Sequence, residues 1–137
     1  MWWWYALLSA GFAALTAVLA KVGIRGVNSD LATAIRTAVI LVVAWGIFLA
    51  RDHPADVWHL SARTWVFLGL SGVATGLSWI FYFKALQLGQ VSQVAPVDKL
   101  SVALAIVLSV VFLGETLTLK VALGAGLIIG GTLVLIL

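Results

Sequence analysis

Four charged residues lie inside stretches of the chain that are otherwise apolar: Arg36, Lys84, Asp98 and Lys99. An Arg, Lys or Asp near the centre of a membrane helix costs about 2.5 to 3.5 kcal/mol on insertion scales. Such groups are therefore kept where they meet a partner, water or a substrate, and they commonly mark ion or substrate pathways. Three cations and a carboxylate suit a pathway in which a cation receives an anionic group and Asp98 carries a proton. The competing reading is a set of buried structural ion pairs. Asp98 and Lys99 are sequence neighbours, which on a regular helix point about 100 degrees apart, so they are expected to need different partners. Arg36 or Lys84 is a candidate for Asp98, and water or an anionic substrate group for Lys99.

Other residues belong to the same constellation. Trp79, Phe81, Tyr82 and Phe83 cluster beside Ser78; they could line a pocket, with Trp79 and Tyr82 on the pathway, or simply pack and anchor. Pro96 has no N–H to donate, so a break near it would expose backbone carbonyls to a cavity. Glu115 ends an apolar run and is expected as a gating or structural contact at a helix end.

The elements that must position these residues follow from composition. The 137 residues are 64% hydrophobic and 9% charged, whereas soluble domains carry about a quarter charged residues. A soluble globular domain and a disordered chain are both excluded. A membrane-crossing helix needs about 20 apolar residues, and five runs qualify, at residues 2–20, 31–50, 64–86, 91–113 and 118–137. Continuous apolar stretches such as 38–50 and 102–113 lack the alternation of barrel strands. The expected fold is an all-α membrane protein, one five-helix domain over residues 1–137. Residues 2–5 (Trp-Trp-Trp-Tyr) read as an aromatic belt at the headgroups, and no basic residue or cleavage site marks a signal peptide. The longest connection, residues 51–63, contains Pro54, which bars further helix.

Several chemistries find no support. Without Cys there is no disulfide, thiolate metal site or thiol catalysis. His53 and His59, in a loop with Asp52 and Asp56, form a weak metal signal better read as a solvated loop. No Ser, His and carboxylate share a helical register, and no nucleotide motif is present. No metal, cofactor, enzymatic activity or nucleic-acid partner is expected; the net charge of +3 reflects basic residues at membrane boundaries.

Orientation follows the Lys and Arg near span ends. One side receives Lys21, Arg25 and Lys84 and the other Arg51, Arg63 and Lys120. That even split suggests insertion both ways, giving antiparallel copies; a single orientation imposed by the insertion machinery or a partner is the alternative. Gly72 and Gly76 form a small-residue pair in the third run, and Ala122, Gly126 and Gly130 recur every four residues in the fifth. Such strips allow close helix approach, within one chain or between two, and the charge-free interior of the fifth run makes it the better dimer face.

The segment Phe83-Lys84-Ala85-Leu86-Gln87-Leu88-Gly89-Gln90-Val91-Ser92-Gln93-Val94-Ala95-Pro96-Val97-Asp98-Lys99-Leu100-Ser101, with Phe112-Leu113-Gly114-Glu115-Thr116-Leu117 after it, resembles the second half of the EamA-type module of the drug/metabolite transporter superfamily. Arg36 matches a frequent Arg in that module's second span. The resemblance covers the whole chain as one module, similar to the half-size bacterial and archaeal form. It implies export or exchange of small metabolites such as amino acids, or of drugs, through a central cavity in the inner (plasma) membrane. Because five is odd, two modules fused head to tail are mutually inverted, and a half-size member recovers that symmetry as an antiparallel homodimer in the lipid bilayer. The very small multidrug exporters of the superfamily use a carboxylate in the first span. Residues 2–20 contain none, which argues against their proton-for-cation mechanism unless Asp98 substitutes.

The expected function is a multi-pass transporter working by alternating access, with Arg36, Lys84, Asp98, Lys99, Trp79 and Tyr82 along the pathway, Pro96 and Glu115 at breaks or gates, and Gly72, Gly76, Gly126 and Gly130 in helix packing. Two alternatives stand beside it. One is an accessory membrane subunit or helical scaffold whose charges bind a partner's spans; the other is a flippase for lipid-linked anions using Arg36, Lys84 and Lys99.

Overall fold

The computed structural model describes residues 1–51 and 54–137. It contains α1 (Trp2–Gly23), α2 (Ser29–Arg51), a 3-10 helix (Pro54–His59), α3 (Ala62–Leu88), α4 (Val91–Asp98), α5 (Leu100–Leu113) and α6 (Leu119–Ile136). No strand occurs among the described residues. Five stretches are long and apolar enough to cross a membrane, the fourth formed by α4 and α5 together. The 27 residues of α3 extend about 40 Å at helical rise, more than the roughly 30 Å of hydrocarbon. Their own chain buries only 6% to 11% of the residues in the most apolar window of each span. Helices apolar on nearly every face suit lipid or other helices as neighbours, not water.

The chain divides into two compact units, Met1–Leu19 with Leu88–Leu137, and Ala20–Gln87. In the first, α6 packs on α4 and α5. The fourth span, expected as one run, is broken at Lys99, three residues after Pro96. Pro96 lacks the N–H that would bond one turn back, and the chain restarts as α5 at Leu100. Thr132 of α6 is 3% exposed, and its hydroxyl donates to the carbonyls of Ile128 at 2.8 Å and Pro96 at 3.2 Å. It thereby ties α6 to the broken helix. The α5 helix stops at Gly114, whose φ of 70° lies in the left-handed region that a Cβ disfavours. The Glu115 N–H reaches back to the Ser109 carbonyl at 3.3 Å, and Thr118 caps α6 by accepting from the Val121 N–H at 3.3 Å.

In the second unit, Ile24, Phe83 and Leu86 are nearly fully buried, Phe83 of α3 lying against Arg36 of α2. The α1–α2 turn uses Gly26 at φ 72°, and Asn28 caps α2 by accepting from the Asp30 N–H at 2.8 Å. Lys21 donates to the Leu86 carbonyl near the end of α3, where a cation suits the helix dipole. The Gln87 amide donates to the Val27 carbonyl at 2.5 Å and the Ile24 carbonyl at 3.3 Å. These three bonds clasp the turn to α3. At the other end of the unit, Ser61 caps α3 by accepting from the Thr64 N–H at 3.2 Å.

Candidate functional site

Arg36 lies seven residues into α2, about 10 Å along its axis. Trp79 and Phe83 are four apart on α3 and so share one of its faces. The Arg36 guanidinium lies over both rings, 4.3 Å from the Phe83 centroid and 5.7 Å from that of Trp79. Tyr82 meets Phe83 edge-on at 5.6 Å and lies within electrostatic range of Arg36. One nitrogen, Arg36 Nη1, is buried and has no hydrogen-bond partner among the described residues.

Magnitudes show what this arrangement lacks. A desolvated cation over a ring gains about 2 kcal/mol, which is close to the insertion cost of the arginine. The rings therefore hold the charge in place, but they do not satisfy its N–H groups. A buried donor without an acceptor costs about 1 to 3 kcal/mol. A planar fork with free donors suits a carboxylate or phosphate approaching edge-on. An anionic group that reached the fork would find the half-buried Trp79 and Tyr82 beside it.

The sequence-derived residues separate into groups. Arg36, Trp79 and Tyr82 come together, and Phe83 joins them as the nearest ring to the cation. Lys84, the next residue along, is exposed and makes no hydrogen bond or ion pair among the described residues. Asp98 and Lys99 pair with each other at 3.3 Å, contrary to the expectation that they need different partners. Lys99 still has right-handed helical backbone angles, and its N–H bonds the Ala95 carbonyl at 3.2 Å, so the pair forms because the long lysine stem reaches round the helix to the neighbouring carboxylate, with both side chains partly exposed. Glu115 is exposed past the end of α5.

At Gly72, Gly76, Gly126 and Gly130 an added Cβ would meet no described residue of the same unit within 4 Å. His59 ends the 3-10 helix and is exposed. His53, Asp52 and the Asp56 side chain lie outside the described residues. Sequence reasoning missed Thr132, whose signal is a lone hydroxyl in a charge-free apolar run; in hydrocarbon such a group seeks a carbonyl. It also missed Gln87, whose side chain closes a turn some 60 residues distant in sequence.

Five membrane-length helices with a guanidinium held among rings inside one of them define a multi-pass membrane protein with a polar site at bilayer depth. Residues 1–137 match the EamA-like transporter family, and the chain belongs to that family. It is 52% identical over 134 residues to a Sinorhizobium protein described as an uncharacterized transporter in the cobO 3' region, covering 98% of this chain and 95% of that one. No solved structure matches it significantly.

Proposed function

We propose that the protein carries small metabolites, amino acids or drugs bearing an anionic group across the inner membrane of a bacterium or archaeon by alternating access. The observation that carries this reading is Arg36: a guanidinium inside a membrane span, stacked on Phe83 and Trp79, with a buried nitrogen that is unpaired among the described residues. The name of the Sinorhizobium relative supports transport as the activity. A substrate carboxylate would take the free donors of Arg36, and the half-buried Trp79 and Tyr82 rings would contact its apolar part, with the buried Phe83 holding the cation from behind. Within the other unit, the Asp98–Lys99 pair at the joint between α4 and α5 is a polar point of its own.

A single five-span module becomes one half of an inverted pair when a second copy inserts the other way. The even split of Lys21, Arg25 and Lys84 against Arg51, Arg63 and Lys120 favours such insertion, and the uncovered Gly126 and Gly130 leave α6 a face for close approach. Alternating access then amounts to each copy rocking against its inverted partner.

The test is flux into liposomes containing the purified chain alone. Uptake or exchange of carboxylate-bearing metabolites, lost on replacing Arg36, is expected; no flux across all metabolite classes would favour the accessory subunit. A reporter fused to the C-terminus should be active on both sides of the membrane, and activity on one side only would remove dual insertion.

A further inference from the structure

The clasped end of the second unit bears an open cleft of about 270 Å³, lined among others by Lys21, Ile24, Arg25, Val27, Leu86 and Gln87. Its lining comes from the last turn of α1, the turn into α2 and the last turn of α3, so it lies where three helices reach a membrane boundary. Two of its side chains are cationic and three are apolar. Lys21 is engaged at the Leu86 carbonyl and so offsets the negative end of α3. Arg25 is exposed and makes no hydrogen bond or ion pair among the described residues. The bonds from Lys21 and Gln87 hold the cleft's walls together before any ligand arrives.

We propose that this cleft is a binding site for the phosphate headgroup of an anionic phospholipid. Arg25 supplies the donor fork for the phosphate, and Lys21 adds a second positive charge. Basic pockets between membrane helices at the headgroup level bind anionic lipids by this combination of charge and position. Ile24 and Leu86 are buried behind the cleft, and the half-buried Val27 is the apolar lining residue open to the glycerol and first methylenes of a lipid, a contact from which a free phosphate would gain nothing. The site is separate from Arg36, which lies deeper along α2, and its occupancy does not depend on what that pathway carries.

The experiment is native mass spectrometry of the full chain released from nanodiscs of phosphatidylcholine, with and without phosphatidylglycerol. The native chain should retain phosphatidylglycerol in preference to phosphatidylcholine. Arg25→Gln should retain about five-fold less, the effect of one cation near an anionic membrane surface. Arg63→Gln, at the opposite boundary, should retain as much as the native chain. Circular dichroism of both variants checks that they fold, and Arg25→Lys should recover part of the retention. Equal retention of the two lipids, or equal losses from Arg25→Gln and Arg63→Gln, would overturn the proposal. So would displacement of the lipid by inorganic phosphate, which would make the cleft a free-anion site.

Discussion

The guanidinium of Arg36 lies closer to the ring of Phe83, at 4.3 Å, than to that of Trp79, at 5.7 Å. Of the two, Phe83 is also the more deeply buried, at 1% exposure. The cation is thus fixed chiefly by a side chain that has no hydrogen-bonding capacity, and its donors remain available.

Arg36→Leu should keep or raise thermal stability, because it removes a costly charge and an unpaired donor from the span. Flux of carboxylate-bearing substrates should fall by about ten-fold or more, the worth of a hydrogen bond to a charged group. Arg36→Lys should restore little, since an ammonium cannot present a planar fork. Melting curves in detergent beside liposome flux measure both effects, and undiminished flux in Arg36→Leu would take the pathway away from this residue.

Phe83→Leu retains an apolar side chain but removes the ring face. Substrate affinity should fall more than in Trp79→Leu, because the nearer ring dominates a distance-dependent attraction. Thermal shift with a bound substrate gives the ordering; a larger loss from the Trp79 variant would contradict the observed geometry.

Thr132→Val preserves shape and deletes the hydroxyl that joins α6 to the Pro96 carbonyl. Interhelical bonds of this kind contribute about 0.6 kcal/mol and at most about 1.7, so unfolding in mixed micelles should shift by that amount. Thr132→Ser should behave as the native chain. Any larger loss of flux than of stability in Thr132→Val would identify the contact as part of the moving joint.

Asp98→Asn leaves Lys99 without its counter-ion and should lower both stability and flux. The double variant Asp98→Asn with Lys99→Gln should recover stability but not flux, because it restores neutrality without restoring either charge. If Asp98 carries the coupling proton, native flux varies with pH and the residual flux of Asp98→Asn does not. Identical pH profiles for the two would dismiss the proton role.

Much of the fold could be read from hydropathy alone, because a span of lipid-facing residues needs no particular partner to be recognised. The ends of α2 and α3 fall within two residues of the apolar runs at 31–50 and 64–86. Pro96, expected near a break, lies inside α4, and the interruption falls three residues later at Lys99. What could not be read was pairing. The Asp98–Lys99 bridge depends on the side-chain conformation of a long lysine, which sequence spacing cannot show. The choice of Phe83 as the principal neighbour of Arg36 depends on how α2 and α3 meet. Trp79, Tyr82 and Phe83 are adjacent aromatics of similar promise until a cation selects among their faces. Gln87 and Thr132 act on carbonyls, and a carbonyl carries no mark in the sequence of which side chain will seek it.

The sparse burial of the spans, with only 6% to 11% of each apolar window covered by its own chain, makes lipid the chief competitor for every helix face. For two inverted copies that cover one another, association in the plane of the bilayer obeys mass action. Added lipid then acts as a diluent. At a fixed amount of protein, transport per molecule by the proposed pair should fall as the lipid-to-protein ratio rises, and the membrane's own abundance would then regulate how much of this protein is at work.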